Sequence, residues 1–286
     1  MTYADHGYRS ADGRLDLYAR IYEGEGRPLL LMHGLTRNSG DFEALAGHLA
    51  GKYKLIVPDQ RGRGRSDHDP DPKNYTPAIY VEDMFALLDG LAIDRMGLIG
   101  TSMGGLMAMM MATMQPERFE SLILNDIGPA VDATGLARIQ SYVGALAPFD
   151  SWQKAADHCR SVHGDSFPDY SAQDWQVFAR HVCEQRADGR IYMAYDPAIS
   201  EGLSGTDPTV VPPDLWAIWD QLSALPVLVV RGALSDILSA ATVAEMKLRH
   251  SGTFAAVDIP SRGHTPMLGE PEALAAIDRF HAELEK

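Results

Sequence analysis

The pentapeptide Gly100-Thr101-Ser102-Met103-Gly104 constrains this chain more than any other segment, because of what flanks it. The apolar run Met96 to Ile99 leads directly into it, and a helix-like stretch, Met103 to Met114, follows without a gap. A serine on such a sharp strand-to-helix turn holds a strained backbone and exposes its hydroxyl. The glycines two before and two after it remove side chains that would clash across the turn. The new helix also points its positive end at any charge that develops there. A glycine-rich turn whose serine merely caps a helix is the alternative, and the strand–turn–helix context argues against it.

The rest of the chain repeats that rhythm. Leu29 to Met32, Leu55 to Val57, Leu98 to Ile99 and Leu122 to Leu124 read as buried strands. Phe42 to Leu49 and Val81 to Leu91 carry helical periodicity between them. Strands written as continuous apolar runs are buried on both faces, as in a parallel sheet, and their alternation with helices makes an α/β architecture. Tyr3 to Arg9 and Leu15 to Tyr22, joined through Asp12-Gly13, read as an antiparallel hairpin at the sheet edge. After Asn125-Asp126-Ile127-Gly128-Pro129 the rhythm stops, and residues 131–220 are mostly helical in character with no clear strand. All four tryptophans, Trp152, Trp175, Trp216 and Trp219, fall in that stretch. Strands resume at Pro226 to Val230 and Phe254 to Ile259, before a terminal helix over Pro271 to Glu285. The expected organisation is a core of residues 1–130 and 221–286 with a helical cap of residues 131–220.

A serine hydroxyl needs a neighbouring base to become a nucleophile. Among the ten histidines, His264 has the best setting, in Ser261-Arg262-Gly263-His264-Thr265-Pro266, between the last expected strand and the terminal helix. Loops at the carboxyl ends of parallel strands converge on the site in such sheets. An acid must orient that imidazole and stabilise its charged form. Asp236, in the loop after the strand ending near Arg231-Gly232, is the chosen candidate. Asp126 is its competitor, and equally has a structural reading, setting the turn into the cap with Gly128 and Pro129. An oxyanion hole needs two convergent donors. The backbone N–H of Met103 is one; the N–H of Leu35, in His33-Gly34-Leu35-Thr36 after the strand Leu29 to Met32, is the other. His33 reads as a structural histidine bonded to that loop.

Four motifs in order, His33-Gly34-Leu35, Asp59-Gln60-Arg61-Gly62-Arg63-Gly64-Arg65-Ser66, Gly100-Thr101-Ser102-Met103-Gly104-Gly105 and Gly263-His264-Thr265-Pro266, resemble the α/β-hydrolase superfamily. The resemblance is to its capped branch, which holds esterases, lactonases, carbon–carbon bond hydrolases and cofactor-free perhydrolases. It implies an eight-stranded, mostly parallel sheet with helices on both faces, a helical cap over the site, and a Ser…Asp…His order of catalytic residues. It also implies hydrolysis of a small to medium carboxylic ester, lactone or thioester through an acyl-enzyme, with no cofactor and no metal. Ser102 stands where dehalogenases and epoxide hydrolases of this fold carry aspartate. Leu35-Thr36-Arg37-Asn38-Ser39 departs from the Gly-Pro-Gly run of the carbon–carbon hydrolases, so that chemistry and perhydrolysis rank as rivals. A non-catalytic ligand receptor is a further rival, and the presence of serine, histidine and acid candidates argues against it.

Composition narrows the partners to a small-molecule substrate. The formal net charge of −14 repels nucleic acid and anionic lipid, so neither is expected; a homodimer is compatible with the sequence. Arg61, Arg63 and Arg65 therefore read as parts of a structural loop, not a phosphate site. The polar segment Met1 to Ser10 is no secretory signal, which places the protein in the cytoplasm. Cys159 and Cys183 read as thiols; with His163 and His181 they have zinc chemistry but not zinc spacing. The methionines at 103, 107, 110, 111 and 114 read as packing of a buried helix. The tryptophans of the cap either favour an apolar substrate group or supply the cap with its own core.

Overall fold

The computed structural model describes residues 2–144, 146–204 and 215–286. An antiparallel hairpin opens the chain, β1 (Ala4–Arg9) and β2 (Asp16–Tyr22), and β3 (Gly24–Met32) follows. Helix α1 (Glu43–Leu49) leads to β4 (Gly51–Asp59), α2 (Pro77–Gly90) to β5 (Met96–Thr101), and α3 (Met103–Met114) to β6 (Phe119–Asn125). The last part of the core holds β9 (Val227–Gly232), α9 (Ala240–Arg249), β10 (Phe254–Ile259) and α10 (Pro271–Leu284), numbered after the cap elements given below.

These strands form one eight-stranded sheet in the order β1-β2-β4-β3-β5-β6-β9-β10, parallel from β4 onward. The sequence reasons are local. Every residue of β5 is buried, as the apolar run requires of a strand covered on both faces. Thr76 caps α2, with Pro77 in its first turn, and Ser239 caps α9, the side-chain oxygens satisfying orphan N–H groups. One apolar cluster, around α2, α3 and Trp219, covers one face of the sheet; a second, around α1 and α10, covers the other. From β3 the chain runs to β4 on one side, then crosses to β5 on the other. The carboxyl ends of β3 and β5 therefore flank the point where strand order reverses, where such sheets bind ligands.

Between β6 and β9 lies the cap: α4 (Ala133–Tyr142), α5 (Trp152–His163), α6 (Ala172–Val182), the hairpin strands β7 (Cys183–Gln185) and β8 (Ile191–Met193), and α7 (Ile199–Ser204). The hairpin is too short to show a period of two, which is why the sequence reads as strandless there. Helix α8 (Trp216–Gln221) falls inside the stretch expected to be cap, yet it packs on the core: Trp219 is fully buried in the α2–α3 cluster and donates to the Met246 carbonyl at 3.1 Å. Trp175 instead anchors a separate cap cluster with Phe167, Phe178, Cys159 and Cys183. Among the described residues, no helix is long and apolar enough to cross a membrane.

Candidate active site

Ser102 sits between β5 and α3 with φ 52° and ψ −115°, a strained turn for a residue with a Cβ. Its N–H donates to the Asn125 carbonyl at 3.0 Å, and its own carbonyl accepts the N–H groups of Gly105 and Leu106. The flanking glycines are required by close approach: a Cβ on Gly104 would overlap the Met32 carbonyl, and one on Gly100 the Gly104 carbonyl. With α3 thus pressed onto the sheet, the serine hydroxyl stands clear of the strand ends.

His264 reaches it from the loop after β10. The Ser102 Oγ lies 2.8 Å from His264 Nε2, and His264 Nδ1 lies 2.8 Å from Asp126 Oδ2. A carboxylate accepts, so the ring proton resides on Nδ1 and leaves Nε2 to accept the serine O–H. Asp126 is fully buried. Its Oδ1 takes the N–H of Gly232 at 2.8 Å, and its Oδ2 takes the Ser235 hydroxyl at 2.6 Å besides the imidazole. Three donors hold that carboxylate in one orientation.

The structure brings Asp126, not the expected Asp236, to the His264 ring. Asp236 does not touch His264; it forms a two-bond ion pair with Arg138 of α4, at 2.6 and 2.8 Å, and that cation holds its carboxyl below the usual range. The cause is a turn after β9. The Ser235 N–H donates to the Gly232 carbonyl, and the Ser235 hydroxyl accepts from the N–H groups of Ile237 and Leu238 while donating to Asp126. Ser235 thereby points inward and Asp236 outward to the cap. Asp126 directly follows β6, whose Asn125 pairs with Thr101 of β5, so Asp126 starts one strand from Ser102. Asn125 also donates to Thr101 Oγ1 at 3.1 Å and to the Pro266 carbonyl at 2.8 Å, tying the nucleophile turn to the histidine loop. A sequence signal for Asp126 existed, its place directly after a strand, in the position that Ser102 holds after β5; Ser235 carried none.

Leu35 and Met103 both adjoin Ser102. Met103 opens α3, and Leu35 lines the cleft beside Gly34, Thr36 and Ser102. The loop carrying Leu35 is held from below by buried groups. His33 Nδ1 donates to the Gly34 carbonyl at 2.7 Å and its Nε2 accepts from the Gln60 N–H at 3.0 Å. Arg63, fully buried over the Tyr80 ring, donates to the Leu35 carbonyl at 2.9 Å. Arg61 is clamped by Asp83 and Asp69, and Arg65 by Asp5. All three arginines of the glycine-rich loop are thus spent on protein oxygens.

Burial pushes the His33 imidazole down to about 3, so the folded protein keeps it neutral while the unfolded chain protonates it below about 6.5. Folding stability from this histidine is complete above the unfolded value and is lost as pH falls from about 6.5 toward 3, by on the order of 1.4 kcal/mol per pH unit. Thermal melts at pH 7, 5.5 and 4 should therefore fall more steeply for the native protein than for His33→Gln; identical acid slopes would sink this assignment.

Cap and core residues together line a partly open cleft around Ser102. Leu35, Ile139 and Phe167 give it apolar wall; Thr36, Arg37, Tyr142 and His163 give it polar wall. Among the described residues, no tryptophan lines it: Trp152 and Trp175 belong to the cap's own cluster, which favours the core-filling reading of those rings. Cys159 and Cys183 are buried free thiols, His163 faces the cleft and His181 pairs with Glu43. Among the described residues, no group of three or more side chains is placed to hold a metal ion.

Comparison with known proteins identifies the fold family. A sequence model of the alpha/beta hydrolase fold family matches residues 27–253. The chain is 33% identical over 259 residues to the 3-hydroxybutyrate-oligomer hydrolase of Cupriavidus necator, covering 89% of this chain and 88% of that one. It is 29% identical to the 2-(acetamidomethylene)succinate hydrolase of Mesorhizobium japonicum, covering 94% and 92% of the two chains. The crystal structure of an alpha/beta hydrolase from Novosphingobium aromaticivorans superposes with a TM-score of 0.91 at 42% identity, over 99% of this chain and 98% of that one. With this family match and its eight-stranded, mostly parallel sheet, the chain belongs to the α/β-hydrolase family.

Proposed function

We propose that this protein is a serine hydrolase of short carboxylic esters, acting through an acyl-enzyme on Ser102. The observation that carries the reading is the unbroken chain from Ser102 Oγ through the His264 ring to Asp126, with 2.8 Å at each link. His264 takes the serine proton as Oγ attacks the ester carbonyl, and Asp126 stabilises the imidazolium that forms. The N–H groups of Leu35 and Met103 receive the oxyanion. His264 then protonates the leaving alkoxide, and the same ring activates the water that releases the acid.

The two relatives that cover about nine-tenths of the chain, by their names, act on a 3-hydroxybutyrate oligomer and on an (acetamidomethylene)succinate. Both names denote small, polar acids. The mixed polar and apolar cleft supports the same size and polarity here, in preference to a long apolar acyl chain. An ester of a short hydroxy acid is the substrate type that fits best. Hydrolysis of the carbon–nitrogen or carbon–carbon type would use the same three side chains; the alcohol-releasing reading is preferred because an alkoxide leaves with less assistance than an amide nitrogen or a carbanion.

Treatment with a fluorophosphonate probe, followed by peptide mass spectrometry, tests the assignment directly. The expected adduct lies on the peptide containing Ser102 and forms with loss of hydrolysis of short aryl esters. An adduct elsewhere, or activity that survives full modification, removes Ser102 from this role.

A further inference from the structure

The cap side of the cleft holds polar groups that the ester-cleaving machinery does not use. Arg37 follows the loop that carries Leu35 and lines the cleft with Ser102. A methyl group on Gly34 would stand 3.6 Å from Arg37 Cγ and 3.7 Å from Ser102 Cβ, so the arginine stem begins beside the nucleophile. Its guanidinium is fixed from two sides: Nε donates to Asp41 at 2.7 Å, and Cζ lies 4.3 Å from the centre of the buried Phe178 ring. Of its terminal nitrogens, one meets only the Met267 sulfur at 3.4 Å. Among the described residues, no oxygen accepts from either.

His163, at the end of α5, lies against the same Phe178 ring at 5.4 Å between centres, and Tyr142 meets it edge-on at 5.3 Å. Desolvation, with Arg37 and Arg138 nearby, pushes the His163 imidazole down to about 3, so it enters the cleft neutral with one N–H to give. The Tyr142 hydroxyl is a further donor. Among the described residues, no aspartate or glutamate lines this cleft, in a chain whose net charge is −14. A half-buried guanidinium whose terminal N–H groups meet no oxygen among the described residues, flanked by two neutral donors, is an acceptor's site, and a carboxylate is the acceptor that also returns a charge.

We infer that Arg37, with His163 and Tyr142, forms a subsite for a free carboxylate on the substrate, held a few atoms from the ester attacked by Ser102. The substrates are then half-esters of short dicarboxylic acids, or hydroxy-acid esters that end in a carboxylate. Asp41 neutralises Arg37 only in part, since it occupies the Nε edge and leaves the terminal nitrogens, which are the edge a second carboxylate would use.

The inference rests on Ser102 as nucleophile, and the test separates the two. Fluorophosphonate labelling is followed in the presence of N-ethylsuccinamic acid or N-ethylglutaramic acid, stable amide counterparts of the half-esters, and of their primary amides, which lack only the charge. At one of the two chain lengths the acid should protect at a concentration at least ten-fold below that of the amide, and 0.5 M sodium chloride should narrow the gap. Arg37→Gln should reduce the ratio to within two-fold, while Arg37→Lys retains a preference for the acid. Equal protection by acid and amide at both lengths, or none by either, overturns the subsite even if Arg37→Gln fails to fold, because those readings come from the native protein. Absence of labelling without any competitor overturns the Ser102 assignment instead.

Discussion

Ser102→Ala is expected to lower kcat toward short esters by about 10⁴- to 10⁶-fold and to abolish fluorophosphonate labelling, with little change in melting temperature. The magnitude follows from what the substitution removes. Without Oγ there is no covalent step, and the residual rate is what the oxyanion donors and bound water achieve alone. The fold should tolerate the change because the backbone bonds of this turn use the Ser102 N–H and carbonyl, not its hydroxyl. Alanine must still adopt φ near 52°, a strain the native serine already carries, and the glycines at 100 and 104 keep the turn clear. Steady-state rates on an aryl ester, beside melting curves for both proteins, decide the matter. A variant that keeps a tenth of the native rate would show that another group performs the attack.

What the chain discloses before folding, and what it withholds, divides along physical lines. The buried parallel strands are legible because a strand covered on both faces must be apolar throughout, as β5 is. The nucleophile turn is legible because close approach of α3 to β3 admits only glycine at 104. His264 is legible from its place after the last strand. The carboxylate that meets His264 is not, because two aspartates each follow a strand of the same sheet, and which of them faces the ring depends on Ser235. One hydroxyl that accepts from two N–H groups and donates to Asp126 turns its neighbour Asp236 away, and a four-residue turn leaves no periodic trace. The division of the tryptophans is hidden for a similar reason. Trp216 and Trp219 sit next to the cap in sequence, but the Met246 carbonyl and the α2–α3 cluster claim Trp219 for the core. The polar cleft wall is assembled from Arg37, Tyr142 and His163, on three separate segments, and only folding brings them to one cleft.

Asp126→Asn is expected to lower kcat by about 10⁴-fold, whereas Asp236→Asn should cost less than about ten-fold. The asparagine is nearly the same size, so the loss at 126 is electrostatic and tautomeric. A neutral amide no longer stabilises the imidazolium, and its NH₂ group, once turned toward Nδ1, forces the ring proton onto Nε2, where it can no longer accept from Ser102. The Gly232 N–H donates to Oδ1, and the Ser235 hydroxyl donates to Oδ2 beside the ring; the fixed backbone donor favours an oxygen on the Gly232 side, which leaves the NH₂ nearer to the ring and costs the Ser235 bond. Asp236→Asn instead loosens the Arg138 ion pair between α4 and the loop after β9. That pair is about one-third exposed and worth little by itself, so its loss should alter the seating of the cap, and hence KM, before it alters kcat. The two variants therefore differ in kind as well as in size. If Asp236→Asn proves the more damaging in kcat while Asp126→Asn remains active, the link between His264 and Asp126 is not the one used in turnover, and the cap loop must reorganise to bring Asp236 to the ring.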